Sequence, residues 1–157
     1  MPTPIDGWWQ VDHTNTLQSP ELQRLLQLWE SRGGALGVPK RDDFSAEELM
    51  GFGGRVVLLD VEPAPFRLRF RLLGVHVTEA VGRDATGRYL DEVYDTIYWA
   101  RLCQHFQQVV DGRRPLRMFG HMAHSHKPYV AAESIDMPLI GVEGTVAMIL
   151  QGFNFEI

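Results

Sequence analysis

The sequence predicts an α+β domain built on an antiparallel sheet, and two observations carry this prediction. Two blocks of predicted strands, within residues 55–72 and 116–155, lie on either side of helical segments instead of alternating with them, which disfavours a parallel wound sheet. The 157 residues are 45% hydrophobic and 22% charged and include one cysteine, a composition typical of one soluble domain with its own core.

Charge and hydropathy exclude two classes of partner. The net charge of −5 gives a nucleic-acid backbone no reason to bind, because 20 acidic residues outnumber 15 basic ones. The longest apolar run is too short for a membrane span or a signal peptide. We therefore expect a cytoplasmic protein that binds neither nucleic acid nor membrane.

The N-terminal third predicts an irregular lead-in at residues 1–17 and a helical cap at 18–54, ahead of a core at 55–157. Ser19 caps the first helix. Its apolar stripe has helical spacing and consists of Leu22, Leu25, Leu26 and Trp29. Ser45 and Glu48 form a capping box that begins a second, short helix.

Two short strands follow, at 55–61 and 66–72, joined by a turn that contains two prolines. In the second strand, alternation places three arginines on the face opposite the apolar side chains: Arg67, Arg69 and Arg71. We interpret this row as a solvated or ion-paired strand face rather than a ladder that binds a ligand.

A long helix from about Thr96 to Asp111, capped by Asp95, is the best-defined predicted element. Its apolar stripe comprises Trp99, Leu102, Cys103, Phe106, Val109 and Val110. The glycines before this helix, at 82 and 87, match neither a phosphate-binding P-loop nor a dinucleotide fingerprint. After the helix, alternating segments predict a three-stranded meander over residues 116–155.

This order of elements resembles that of the PAS domain superfamily, and more closely a bacterial group of stand-alone, single-domain PAS-like proteins. The most specific matching segment is Gly82-Arg83-Asp84 followed by Thr86-Gly87-Arg88-Tyr89-Leu90-Asp91. Other matching segments are Leu28-Trp29, Arg32-Gly33-Gly34, Pro39, Asp42-Asp43-Phe44, Leu58-Leu59-Asp60-Val61, Pro65-Phe66-Arg67-Leu68-Arg69, Leu73-Gly74 and Pro138-Leu139.

The resemblance implies a PAS-like fold: a five-stranded antiparallel sheet, a long connecting helix and short helices over one face, and N-terminal cap helices packed elsewhere. It also implies a sensory or interaction module, often dimeric, that often binds a small molecule between sheet and long helix. Because the sequence has no kinase, cyclase, phosphodiesterase or DNA-binding segment, we expect signalling through a separate partner protein.

The turns of the meander predict which side chains share a face. With Ala123 paired to Tyr129 and Ile140 to Thr145, one face is rich in small residues, and Ser134 lies across from Gln151. A one-residue slip would exchange the faces. The candidate ligand-binding residues are Trp99, Cys103, Phe106, Met118, Gly120, Ala132, Ser134 and Gln151.

The resemblance places Gln151 at the position where flavin-binding PAS proteins have a glutamine facing the cofactor. The candidate face carries no Arg or Lys, so we expect a neutral, weakly polar ligand. The alternative is that Trp99, Phe106 and the methionines simply fill the space.

No cofactor is indicated. The segment in which flavin photoreceptors of this type place their reactive cysteine, here residues 76–93, contains none, and we interpret Cys103 as a small buried hydrophobe. His105 lies on the long helix, as the haem ligand of haem-binding PAS proteins does, but at the flank of the apolar stripe, so haem is also disfavoured. The cluster His121, His124 and His126 lies on a strand and in a turn, an arrangement that does not favour a metal site.

Catalytic motifs are absent: the sequence contains neither Gly-x-Ser-x-Gly nor His-Glu-x-x-His, and we expect no enzyme. Two functions remain, a small-molecule sensor and a ligand-free dimerisation or scaffold module. An enclosed cavity of about 300 Å³ with Ser134 or Gln151 on its wall would favour the sensor. We expect a homodimer in either case, because one helix stripe and one sheet face together present more large apolar side chains than a monomer normally exposes.

Overall fold

A six-stranded antiparallel sheet forms the centre of the computed structural model, which describes residues 9–34, 37–121 and 131–156. The strand order is β1-β4-β5-β6-β2-β3. The strands are β1 Gln10–Asp12, β2 Val56–Pro63, β3 Phe66–Leu73, β4 Leu116–His121, β5 Ala131–Ile140 and β6 Val146–Glu156.

The helices are α1 Pro20–Arg32, α2 Ala46–Met50, α3 Val75–Val81, α4 Leu90–Val93 and α5 Thr96–Gly112, with a 3-10 turn at Arg41–Asp43. Ser19, Ser45 and Asp95 each accept a backbone N–H at the start of a helix, so all three predicted caps are confirmed. The left-handed residue that ends α5 is Arg113, with φ 53°. None of the described helices is both long enough and apolar enough to span a membrane.

The sheet has a core on each face. On the cavity face, which is covered by α3, α4 and α5, the strands present Val57, Leu59, Leu68, Phe70, Met118 and Ile149. On the cap face, which is covered by α1 and α2, they present Val56, Leu58, Ile135, Met137, Leu139 and Leu150. This division follows from the two-residue period of a strand.

An ion network attaches the N-terminal segment to the cap face. The carboxylate of buried Glu133 accepts the backbone N–H groups of Gln18 and Ser19, each at 2.8 Å. Arg117 donates through Nε to Glu133 at 2.6 Å and through Nη1 to Asp12 at 3.1 Å. Paired charges can be buried at this position because every one of them has a partner.

The apolar stripe of α1 packs against the cap face of the sheet, so it is not the exposed surface that the sequence predicts. Leu22 and Leu25 are 0% exposed and Trp29 is 5% exposed, because the cap face of the same chain covers them. This stripe and the bulky sheet face therefore bury each other and do not remain as a surface for a second copy. The homodimer remains a prediction, but exposed apolar surface on α1 and the sheet no longer supports it.

Two expectations about the strands differ from the structure. The lead-in expected to be irregular contains β1, which pairs with Arg117–Phe119 of β4 and adds a sixth strand to the five expected. A strand of three residues is too short to show alternation, and its pairing with the sheet edge is what forms it.

The expected register between β5 and β6 is wrong, whereas that between β4 and β5 is confirmed. Ser134 lies across from Phe153, and Gln151 lies across from Asp136. The register shifts next to Ile140, which pairs with Val146 instead of Thr145. Because the displacement along the strand amounts to two residues, the side chains keep their predicted faces.

The arginine row of β3 is ion-paired, as expected. Arg67 forms a bidentate pair with Asp91, and Arg69 and Arg71 share Asp60. The Arg67 guanidinium also lies 3.6 Å from the centre of the Tyr89 ring. The contacts of Arg67 with Asp91 and Tyr89 fix the segment that follows α3 against the sheet edge, whereas those of Arg69 and Arg71 join β3 to β2.

Candidate functional site

A cavity of about 100 Å³ lies between the cavity face of the sheet and helices α3 to α5. The sheet and the helices both contribute aromatic rings to its wall, and these are Trp9, Phe70, Tyr94, Tyr98, Phe106, Phe153 and Phe155. Most of the remaining wall is aliphatic, so the interior favours an apolar molecule.

Three of the eight predicted ligand-binding residues lie on the cavity wall: Phe106, Met118 and Gln151. The other five do not line it: Trp99, Cys103, Gly120, Ala132 and Ser134. On α5 the reason is rotation, since the side chains facing the cavity are Tyr98, Leu102 and Phe106, spaced by four residues. Trp99 and Cys103 are only half-buried.

Gln151 connects the cavity wall to a buried polar cluster, which we call the Asp136 cluster. Its Nε2 donates to Asp136 Oδ1 at 2.7 Å. The other carboxylate oxygen, Oδ2, lies 2.6 Å from His105 Nε2 and accepts from Ser134 Oγ at 3.3 Å. The cluster therefore joins β5, β6 and the long helix α5.

The Asp136 cluster is buried almost completely, with Asp136 and Ser134 at 0% exposure, Gln151 at 2% and His105 at 4%. A carboxyl group in such a place requires hydrogen-bond partners, and it has three. The contact of 2.6 Å between His105 Nε2 and Asp136 Oδ2 places one proton between these two atoms. His105 Nδ1 is buried and has no hydrogen-bond partner in the described part of the chain.

Sequence reasoning missed Asp136 and His105 as parts of the site. The candidate residues predicted from the sequence do not include Asp136, and they include His105 only as a disfavoured haem ligand. The signal that was available is an acidic residue within the apolar segment Ile135–Ile140, on the face turned to the long helix. An acid in that position needs a buried hydrogen-bond partner, and His105 is the partner that α5 supplies.

Trp9 closes one side of the cavity. Its indole Nε1 donates to Tyr98 Oη at 2.7 Å, and its ring meets Phe153 edge-on with 6.1 Å between centroids. Burial raises the pKa of the Tyr98 and Tyr94 phenols above their ordinary value, so both line the cavity as neutral groups.

Arg83 is the one charged residue among the described residues of the wall, and its side chain is exposed. Its Nη2 reaches the carbonyl oxygen of Val93 at 3.4 Å, the long end of a hydrogen bond. Arg83 follows Gly82, the left-handed residue that ends α3 with φ 82°. The site thus has an apolar interior, a polar amide on its sheet side and a cation on its helical side.

Nucleophilic and metal chemistry find little support among the described residues. Partial burial raises the pKa of the Cys103 thiol above its ordinary value, which disfavours the thiolate. The described part of the chain contains no group of three His, Cys, Asp or Glu that could hold a metal ion. His121 is exposed at the end of β4, while His124 and His126 lie outside the described residues.

Comparison with known proteins identifies the family. A search of curated proteins finds no match. The family model described as a PAS domain matches residues 17–153, from the residues just before α1 into β6. This range contains the whole Asp136 cluster, Arg83 and all three α5 residues of the cavity wall. The chain therefore belongs to the PAS domain family.

Proposed function

We propose that this protein is a sensor that binds a small molecule in the cavity beneath α5 and transmits its occupancy to a separate partner protein. Membership in the PAS domain family indicates a sensory or signalling module. The observation that carries the proposal is Gln151, which lies on the cavity wall and hydrogen-bonds the Asp136 cluster. In this proposal the module catalyses no reaction and acts in the cytoplasm.

The Asp136 cluster supplies the route by which occupancy changes the protein. Nε2 of Gln151 is held by Asp136, and Asp136 also holds His105 on α5. A ligand that hydrogen-bonds the Gln151 amide weakens or reorients the hydrogen bond between Gln151 and Asp136. Asp136 then has fewer partners in a buried place, which is unfavourable, and α5 moves because His105 follows Asp136. Movement of α5 relative to β5 is then the signal that a partner protein detects.

The cavity volume restricts the ligand to a small molecule. An apolar cavity of about 150 Å³ in another protein holds one benzene. At about 100 Å³ this cavity accommodates a single ring only if part of the molecule extends through the mouth or the wall relaxes. Large cofactors such as flavin and haem do not fit this space, and we propose none.

The volume also favours the alternative function, a ligand-free dimerisation or scaffold module. The cavity is smaller than the roughly 300 Å³ typical of small-molecule sites. Met118 and the surrounding rings already fill much of the interior, as they would in an ordinary core. In this alternative the homodimer itself is the functional unit.

Native mass spectrometry of the protein as purified distinguishes the two functions, since one spectrum reports bound mass and oligomeric state. A thermal-shift screen of single-ring compounds complements it. We expect a bound small molecule or a stabilising compound, and loss of that stabilisation in Ala85→Leu, which places a larger side chain on the cavity wall. Ala46→Leu makes the same change at an exposed helix position and should retain the stabilisation.

Absence of any bound mass, together with no stabilisation by any compound, would contradict the sensor and leave the dimerisation module. Equal stabilisation in wild type and Ala85→Leu would place the binding site elsewhere. A monomer at high micromolar concentration would contradict the homodimer in either function.

A further inference from the structure

We infer that the ligand is a small monocyclic carboxylate whose ring enters the cavity and whose carboxylate binds Arg83 at the mouth. This inference rests on the proposed function and names its ligand class. The sequence predicts a neutral ligand because the candidate strand face carries no Arg or Lys. The structure adds Arg83 from the helical side of the cavity, so we propose an anionic ligand instead.

Arg83 is free to bind an anion. Among the described residues it forms no ion pair, in contrast to Arg67, Arg69 and Arg71 of the neighbouring strand. The adjacent carboxylate, Asp84, is engaged by the backbone N–H of Thr86 at 3.0 Å and by its hydroxyl at 2.5 Å. A guanidinium has five N–H donors, and within the described part of the chain one weak hydrogen bond, to Val93, occupies Arg83.

The rest of the wall excludes charge from the interior. No acidic residue belongs to the described wall, so nothing on it repels a carboxylate. The interior groups are aliphatic side chains, aromatic rings, neutral phenols and one amide, and none of these offsets the cost of desolvating an ion. The charged group of a ligand is therefore stable only at the mouth of the cavity, where it contacts both Arg83 and solvent.

A ligand that satisfies both conditions has a compact apolar part and one terminal charge. With the substituent outside the mouth and some relaxation of the wall, the volume of about 100 Å³ admits one ring and no long acyl chain. Gln151, on the sheet side, provides an amide for one further polar substituent such as a hydroxyl. Benzoate is the simplest probe of this class, and benzyl alcohol is its neutral counterpart of similar shape.

Calorimetric titration of benzoate and benzyl alcohol into wild type, Arg83→Gln and Arg88→Gln tests the inference. Arg88 is an exposed arginine of the same segment that does not line the cavity, so it is the matched control. We expect wild type and Arg88→Gln to bind benzoate more tightly than benzyl alcohol. Arg83→Gln should weaken benzoate about tenfold and leave benzyl alcohol unchanged, as expected for loss of a charge-assisted hydrogen bond. Added salt should weaken benzoate alone.

The outcomes separate this inference from the proposed function. If both compounds bind equally and Arg83→Gln changes neither, the cavity remains a binding site and the carboxylate inference is overturned. If neither compound binds, the ligand class is wrong; if the wider screen is also negative, the sensor function fails with it. Arg83→Gln changes an exposed side chain, and its unfolding midpoint without ligand should equal that of wild type.

Discussion

The two faces of the central sheet come from the same strands but have opposite character. On the cap face, Leu58, Ile135 and Leu150 pack against Leu22 and Leu25, and all five are at most 2% exposed. On the cavity face, the neighbours of these residues along the strands include Asp136 and Gln151, which form the Asp136 cluster. The cap face is an aliphatic core with the Glu133–Arg117 ion pair beside it, whereas the cavity face contains a cavity and the Asp136 cluster.

The different packing on the two faces shows how a domain with one central sheet combines stability with a binding site. Consecutive residues of a strand point to opposite faces, so a polar residue at Asp136 leaves Ile135 and Met137 in the aliphatic core. The cap face then supplies stability through close aliphatic packing that the cavity face, with its empty space, does not. Changes on the two faces should therefore have separable effects on stability and binding.

The largest expected effect is on the cavity face. Asp136→Ala removes the acceptor of His105, Gln151 and Ser134 and leaves their polar groups buried without a partner, a change that costs about 3–5 kcal/mol. Urea unfolding of Asp136→Ala, and of Asp136→Asn as the closest isostere, measures the loss. A loss below about 1 kcal/mol for Asp136→Ala would show that the cluster is hydrated and not buried.

The next effect is on the cap face. Leu25→Ala truncates a fully buried side chain and should lower the free energy of unfolding by about 2–5 kcal/mol. Leu26→Ala, at the half-buried neighbouring position of α1, is the matched control and should cost clearly less. Compounds that stabilise wild type should stabilise Leu25→Ala by the same amount. If they do not, packing on the cap face affects binding on the cavity face, and the two faces are not independent.

A smaller effect tests how closely α1 approaches the sheet. A Cβ at Gly152 would lie 2.6 Å from Leu25 Cδ2 and 2.8 Å from Leu22 Cδ2. Gly152→Ala should therefore cost about 1–3 kcal/mol by overpacking. Combining it with Leu25→Ala, which makes room, should give less than the sum of the two losses. Additive losses in the double variant would mean that α1 does not contact the sheet at this point.

Local patterns made most of the fold predictable. The caps at Ser19, Ser45 and Asp95 and the pairs of Arg69 and Arg71 with Asp60 depend on residues near one another in sequence or across one hairpin, and these predictions are confirmed. The family resemblance then supplied the arrangement of sheet and long helix.

The site was less predictable because it depends on long-range packing. The rotation of α5, which turns Tyr98 toward the cavity in place of Trp99, is fixed by the whole interface and not by the stripe alone. The pairing of Ile140 with Val146, together with the register shift between Leu139 and Ile140, places Gln151 opposite Asp136. The contact between His105 and Asp136 joins residues 31 positions apart, and Arg83 reaches the cavity from an irregular segment.

The central claim is that ligands bind on the cavity face and leave the cap face unchanged. Methyl NMR spectra recorded during titration with benzyl alcohol, and separately with benzoate, test it directly. We predict saturable shifts for Leu102 and Met118, which line the cavity, and none for Leu25 and Leu139 of the cap face. Shifts confined to the cap-face methyls, or no shifts at saturating concentrations of either compound, would contradict the account.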